Sequence, residues 1–155
     1  MVGGSRDSRP MTGRVLGLDV GSRRLGVALS DPSGTVASPL VTLPRRGPPE
    51  DALALGRLAA EHRAATVVAG LPLTLAGREG PAAHAVRAYL GELQALLPGL
   101  DFELVDERLS TAAAERALIS GGVRRQERRA VVDQVAASLF LQTWLDAARQ
   151  AGGPG

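Results

Sequence analysis

The chain has 155 residues, of which 45% are hydrophobic, enough for one domain with its own core and too few for two domains of similar size. The lack of cysteine excludes disulfide bonds, thiolate zinc sites and a cysteine nucleophile. A formal net charge of +2 favours an acidic partner such as nucleic acid, while an aromatic fraction of 3% argues against binding of single strands by base stacking.

No apolar run in the sequence approaches the roughly 20 residues that cross a bilayer, and the first residues lack the apolar core of a secretory signal. We therefore expect a cytoplasmic protein with no membrane partner. The Gly, Ser and Arg content of residues 1–13 predicts a disordered tail. A single domain is predicted over 14–150, followed by a short C-terminal tail over 151–155.

The domain is predicted to start with a strand, a tight glycine turn and a returning strand, in the segment RVLGLDVGSRRLGVALSD (14–31). The first apolar run stops at Asp19, and the second covers residues 25–30. A carboxylate at the end of an apolar strand is costly unless a cation or a donor compensates its charge. After a second turn, β-branched residues in 36–43 predict a third antiparallel strand.

Helices and strands then alternate. The predicted elements are a helix over 50–63, a buried strand over 66–71, a helix over 81–97, a strand over 101–105, a short helix that Ser110 caps, and a last helix from between Arg124 and Ala130 to about Gln150. Because strands joined by a helix tend to be parallel, this order predicts an α/β fold. Its mixed sheet should have three antiparallel strands followed by two parallel strands, with helices on both faces.

Four acidic residues lie at the ends of separate elements. Asp19 ends the first strand, Asp106 and Glu107 end the fifth, and Asp133 shares a face of the last helix with apolar residues. Sites in open α/β sheets form beyond the carboxyl ends of the strands, so these carboxylates are expected to converge. Converging carboxylates suit Mg²⁺ or Mn²⁺, which can activate water for hydrolysis of a phosphodiester.

Each acid also has a purely structural interpretation. Asp19 could form a turn, Asp106 or Glu107 could pair with Arg108, and Asp133 could be a helix N-cap. Strand alternation does not decide which of Asp106 and Glu107 faces a metal, because parity is lost at a strand end. Their joint occurrence favours the metal site.

Four ordered segments resemble the YqgF/RuvX family of ribonuclease-H-like proteins: LGLDVGSRRLGVALSD, VVAGLPLTLAGREG, VDERLSTAAAE and VVDQVAASLFLQTWLD. The resemblance covers 14–150. It implies a ribonuclease-H-like fold and a nuclease, dependent on Mg²⁺ or Mn²⁺, that matures the 5′ end of pre-16S rRNA, with Holliday junction resolvase-type activity on branched DNA by similarity. By matching segment, the acidic site is carried over to Asp19, Glu107 and Asp133, with Asp106 as a further catalytic candidate.

The middle segment departs from the family pattern. Where the family usually has Asn-Met-Asp, this chain has Thr74, Leu75 and Ala76. The Asn and Asp side chains of that pattern are therefore absent from the loop, so substrate contacts made by those two side chains in the family do not carry over. The acids carried over as metal ligands lie in other segments.

Arginines flank the acidic positions in the sequence. The candidates for binding nucleic acid are Arg23, Arg24, Arg124, Arg125, Arg128 and Arg129. Cations on both sides of an acidic centre would hold the phosphates of a polyanionic substrate. For Arg128 and Arg129, a solvated helix face is an equal alternative.

Two other functions compete with the nuclease. The first hairpin also resembles the phosphate-binding hairpin of actin-like and sugar-kinase ATPases, but those enzymes need two such domains. A non-catalytic nucleic-acid-binding or ribosome-assembly module with the same fold is the second hypothesis, since the acids could serve folding or binding alone. The sequence leaves the oligomeric state open, with a homodimer as one option.

Overall fold

In the part of the chain that the structure describes, five strands form one mixed sheet at the centre of the fold. The computed structural model describes residues 13–112 and 125–152, with the side chains of 125–130 and 152 outside the description. The strands are β1 (Arg14–Val20), β2 (Arg24–Ser30), β3 (Ala37–Pro44), β4 (Ala64–Leu71) and β5 (Asp101–Asp106). In the sheet order β3-β2-β1-β4-β5, the first three strands pair antiparallel and β4 and β5 run parallel to β1. The predicted α/β sheet is confirmed.

Within the described residues, three α-helices cover the two faces of this sheet. They are α1 (Pro48–His62), α2 (Pro81–Leu96) and α3 (Arg125–Gly152). The first two begin with proline, which suits a first turn because its missing N–H has no partner there. One core cluster joins α1 and α2 to the sheet, and the other joins α3 to the opposite face. Among the described helices, none combines the length and apolar character that a bilayer-spanning segment needs.

Side-chain alternation along β1 divides the core between the two faces. Leu16 and Leu18 are fully buried in the cluster with α1 and α2, whereas Val15 is buried against α3. Gly17 has the same parity as Val15, and a Cβ at this glycine would lie 2.6 Å from the carbonyl oxygen of Ala137. At Gly17, the backbone of α3 therefore lies directly on β1, with no side chain between them.

Element boundaries differ slightly from the predicted ones. β5 continues through Asp106, because its pairing with Leu71 keeps that residue in the sheet. α3 includes residues 151 and 152, which were predicted to belong to the C-terminal tail. The disordered tail predicted over 1–13 falls, except for Gly13, outside the described residues, as does most of the short helix predicted after Ser110.

Candidate metal and nucleic-acid site

Acids from two distant segments meet at the edge of the sheet where the parallel strands end. Asp19 is the penultimate residue of β1, and Glu107 directly follows β5. β4 lies between these strands and pairs in register with both, so that Leu71 at its end faces Asp106. Sites on parallel sheets form at this edge, and the first and fifth strands both end there.

Asp133 reaches the same edge from α3. Asp19 pairs with Gly26 across β1 and β2, and alternation puts this pair on the sheet face that α3 covers. Gly26 contacts the backbone of Asp133 so closely that a Cβ at position 26 would overlap its carbonyl group. Asp133 also lies well inside α3, which begins at Arg125, so it is not a helix N-cap.

One cavity of about 580 Å³ opens at this edge of the sheet. Its charged lining consists of Asp19, Arg23, Arg24, Glu107 and Asp133. Asp19 is the most enclosed of the acids, with 6% of its surface exposed. A carboxylate that is so buried stays charged only where cations or hydrogen-bond donors compensate it. The cavity lining therefore combines three carboxyl groups with two guanidinium groups.

The two arginines that line the cavity differ in their environment. Nε of Arg24 donates a hydrogen bond to Oδ2 of Asp133 across 3.3 Å, and both side chains are partly buried. Arg23 is exposed and forms no ion pair within the described residues. Arg24 thus compensates one acid of the cavity, while Arg23 presents its charge to solvent.

Asp106 forms an ion pair with Arg108 and does not line the cavity. Nη2 of Arg108 donates to Oδ2 of Asp106 at 2.8 Å, and the backbone N–H of Arg108 donates to Oδ1 at 2.9 Å. The Arg108 guanidinium holds the pKa of the Asp106 carboxyl below its usual range. The pairing that was an alternative from sequence is therefore formed by Asp106, while Glu107 faces the cavity.

The cavity acids have the chemistry that a hard divalent cation requires. Asp19, Glu107 and Asp133 offer carboxylate oxygens from three separate elements, and oxygen is the ligand that Mg²⁺ and Mn²⁺ prefer. Within the described residues, no three acidic or histidine side chains stand close enough together to hold a metal ion as a ready-made group. The donor set fits such a cation in type, and the side chains would have to draw closer to grip it.

Four of the predicted nucleic-acid contacts cannot be placed in this site. Arg124 lies outside the described residues, and the side chains of Arg125, Arg128 and Arg129 are outside the description as well. The backbone of Arg125, Arg128 and Arg129 belongs to the first turns of α3, the helix that carries Asp133. Their contact with a substrate stays a prediction.

A tether that was not predicted holds the turn between β1 and β2, which carries Arg23 and leads into Arg24 at the start of β2. Nη1 of Arg45 donates to the carbonyl oxygen of Gly21 at 2.7 Å, and its backbone N–H donates to the carbonyl oxygen of Arg23 at 2.9 Å. The same guanidinium lies 4.1 Å from the ring centroid of Tyr89, whose hydroxyl donates to Asp51. No spacing pattern in the sequence signals this tether, because it depends on how β3 pairs with β2.

A family model and the sequences of known proteins were compared with this chain, and they indicate the same family. The family model RuvX, described as Holliday junction resolvase, matches residues 13–147. A protein of Chloroflexus aggregans named "Putative pre-16S rRNA nuclease" is 48% identical over 136 residues, which span 87% of this chain and 94% of the relative. A protein of Myxococcus xanthus with the same name is 48% identical over 136 residues, 88% of this chain and 89% of the relative.

Solved structures of Thermus thermophilus RuvC share the fold. RuvC in complex with a Holliday junction substrate has a TM-score of 0.55 at 15% identity, and the match covers 87% of this chain and 96% of that chain. A second RuvC structure from the same organism has a TM-score of 0.54 at 17% identity, with the same coverage. These likenesses establish a ribonuclease-H-like fold, and the family model together with the close relatives establishes that the chain belongs to the RuvX family.

Proposed function

We propose that this chain is a divalent-metal-dependent nuclease that hydrolyses phosphodiester bonds in the 5′-end processing of pre-16S rRNA. The observation that carries this proposal is the single cavity lined by Asp19, Glu107 and Asp133, which come from three separate elements. The names of relatives that are 48% identical over most of the chain support the substrate.

In this proposal, each charged group of the cavity has a defined task. Asp19, Glu107 and Asp133 hold Mg²⁺ or Mn²⁺ by carboxylate oxygens. When bound, the ion supplies activation of water and neutralises charge at the scissile phosphate. Arg23 and Arg24 hold the flanking phosphates, so that the substrate backbone lies over the acids. Asp106 acts indirectly, by holding Arg108 beside Glu107.

Branched DNA is a second candidate substrate. The description of the matching family model, Holliday junction resolvase, favours it. Both substrates present a phosphodiester backbone to the same cavity, so the acids required are the same. The experiment that decides between the two substrates compares cleavage of a pre-16S rRNA 5′ segment with cleavage of a four-way DNA junction under one set of conditions.

A nucleic-acid-binding module without catalysis is the competing function. It is favoured by the lack, within the described ranges, of three acidic or histidine side chains already grouped for a metal. It is also favoured by the contact of Arg24 with Asp133, since a permanent partner for that carboxylate needs no metal. The two functions predict the same binding and differ in cleavage.

The decisive experiment replaces one charge at a time. Asp19→Asn and Asp133→Asn keep the size of each side chain and remove its charge, and each is expected to lower the cleavage rate by about 100-fold or more while nucleic acid still binds. Asp101→Asn, at an exposed position where β5 begins, is the matched control and should cut as the wild type does. If both cavity variants cut at the wild-type rate, the proposal is wrong.

Metal binding has a readout that is independent of cleavage. Because a ligand that binds only the folded state stabilises it, Mn²⁺ at 100 times its dissociation constant should add about 2.7 kcal/mol to the free energy of unfolding. Asp133→Asn should abolish this increment.

The compartment implied by a pre-rRNA substrate is the cytoplasm. Whether the free protein is a monomer or a homodimer is measured by sedimentation.

A further inference from the structure

The loop between β4 and α2 presents a fully exposed leucine beside the cavity. Leu75 is 100% exposed, more than any other large hydrophobic side chain of the described residues. A single exposed leucine carries no meaning by itself, because such residues are common on protein surfaces. What sets this one apart is the way its turn is supported and where the turn lies.

The turn over residues 74–78 is closed by its own hydrogen bonds. The backbone N–H of Thr74 donates to the carbonyl oxygen of Arg78 at 2.9 Å, and the N–H of Gly77 donates to the carbonyl oxygen of Thr74 at 2.8 Å. The N–H of Arg78 donates to Oγ1 of Thr74 at 3.1 Å. The backbone of Leu75 is therefore held at the tip before any ligand arrives, so that only the rotamers of its side chain have to be ordered on binding.

The turn is also attached to the wall of the cavity. Gly77, with φ of +81°, packs against the guanidinium of Arg108, since a Cβ there would lie 3.2 Å from both terminal nitrogens. Arg108 directly follows Glu107, which lines the cavity, and Pro72 lines it at the start of the same loop. The backbone of the turn that carries the exposed leucine is thus attached to the wall of the cavity.

We propose that Leu75 packs against an unpaired, unstacked base of the nucleic acid next to the bond that is cleaved, an inference that rests on the proposed nuclease function. Apolar side chains such as leucine insert at base steps and unstack them, and a continuous duplex covers its base faces by stacking. Arg78 is exposed in the same turn, forms no ion pair within the described ranges, and supplies a cation for a phosphate of the same strand.

The experiment measures binding with cleavage blocked by EDTA. Two probes are used: a fully paired duplex, and the same duplex with a bulge that carries 2-aminopurine. Leu75→Ala is expected to weaken binding of the bulged probe about tenfold and to leave the paired duplex unchanged. The 2-aminopurine emission that rises as the wild type unstacks the base should rise less with the variant.

Leu53→Ala is the matched control. Leu53 is 59% exposed on α1 and does not line the cavity, so its loss should leave both affinities and the emission unchanged. Arg78→Ala should lower the salt dependence of binding by about one unit of slope on both probes, because it removes a phosphate contact. Equal effects of Leu75→Ala on the two probes, no effect on either, or failure of the wild type to bind the bulged probe would each overturn the inference.

Failure of this inference is distinguishable from failure of the proposed function. If the wild type cleaves and Asp133→Asn does not, but Leu75→Ala binds both probes as the wild type does, the nuclease stands and the base contact is wrong. If no cleavage is found and the Leu75-dependent preference for the bulge persists, the base contact stands and the catalytic proposal is wrong.

Discussion

Gly26 lies directly beneath the backbone of Asp133, and the space between them has no room for a Cβ. This contact brings α3 down onto β2 next to the buried Asp19, which pairs with Gly26 across the sheet. A glycine therefore decides how near two of the cavity acids can come to each other. The geometry of the site depends as much on this missing side chain as on the carboxylates.

Gly26→Ala tests this dependence. The added methyl group must push α3 away from the sheet, which is expected to lower the free energy of unfolding by about 2 kcal/mol, as overpacking of a filled core does. Cleavage should fall further than the folded fraction does, because Asp133 moves with the helix. Chemical denaturation and cleavage assays on the folded fraction check both effects.

Gly91→Ala is the control for that variant. Gly91 is exposed in α2, where a Cβ would have nothing within 4 Å, so alanine should raise the free energy of unfolding by up to about 1 kcal/mol. Cleavage should be unchanged. A Gly26→Ala protein that is as stable and active as the wild type would contradict the close packing described here.

Glu107 and Asp106 are neighbours in sequence with different expected roles. Glu107→Gln should lower the cleavage rate by about 100-fold or more, since it removes a carboxylate that lines the cavity. Asp106→Asn should lower the cleavage rate by about tenfold or less, because the amide still accepts a hydrogen bond from Arg108 and Glu107 is untouched. Single-turnover cleavage by the two variants checks this order, and the reverse order would assign the site to Asp106.

The sheet and the placement of Asp19 and Asp133 could be predicted from the sequence, because both follow from local patterns. Apolar runs of strand length, helical spacing between them and the position of Asp19 at a strand end are all read along the chain. Asp133 was also placed correctly, since Ala136, Ala137 and Phe140 on its helical face are buried in the structure.

What could not be predicted depends on contacts between elements. The choice between Asp106 and Glu107 required the position of Arg108, which only the turn after β5 fixes. The tether from Arg45 to Gly21 depends on the pairing of β3 with β2, which no residue pattern reveals. Long-range geometry of this kind has no signature in local spacing.

Arg45 is expected to act as a positioning residue for the turn that carries Arg23. Arg45→Ala removes the hydrogen bond to Gly21 and the contact with the Tyr89 ring, and should lower the free energy of unfolding by about 2 kcal/mol. It should raise KM more than it lowers kcat, because the turn holds substrate phosphates in the proposed site. Steady-state kinetics on the folded protein separate the two constants.

Two further variants complete the test of this tether. Arg45→Lys keeps a cation over the Tyr89 ring. Its KM should therefore lie between that of Arg45→Ala and that of the wild type. Arg57→Ala removes an exposed arginine of α1 and should change neither KM nor stability. If Arg45→Ala alters stability and leaves KM as in the wild type, Arg45 is structural only.

Arg23 and Arg24 should differ in how they affect the salt dependence of binding. Arg23 presents an exposed charge, so Arg23→Ala is expected to reduce the slope of log K against log salt by about one unit. Arg24→Ala should change the slope less and cleavage more, because its guanidinium is engaged with Asp133. Arg149→Ala, which removes a partner of Asp146 near the end of α3, is the control. Anisotropy titrations in EDTA at several salt concentrations measure the slopes, and identical slopes for all three variants would remove Arg23 from the substrate contacts.

Tyr89 offers a spectroscopic test of the buried network behind the site, since it is the single tyrosine of the chain. Burial, together with the hydrogen bond to Asp51, raises the pKa of Tyr89 above its ordinary value of 10.0. Because the folded state favours the protonated phenol, this stabilisation is complete below the unfolded pKa and is lost as pH rises above it. Ultraviolet absorbance should therefore detect no tyrosinate at pH 10.0 in the folded protein, and its appearance should coincide with alkaline unfolding. Tyr89→Phe should lower the free energy of unfolding by about 1 to 3 kcal/mol at neutral pH, because the buried Asp51 loses the hydroxyl that donates a hydrogen bond to it. A tyrosinate midpoint near 10.0 in protein that is still folded would contradict the network.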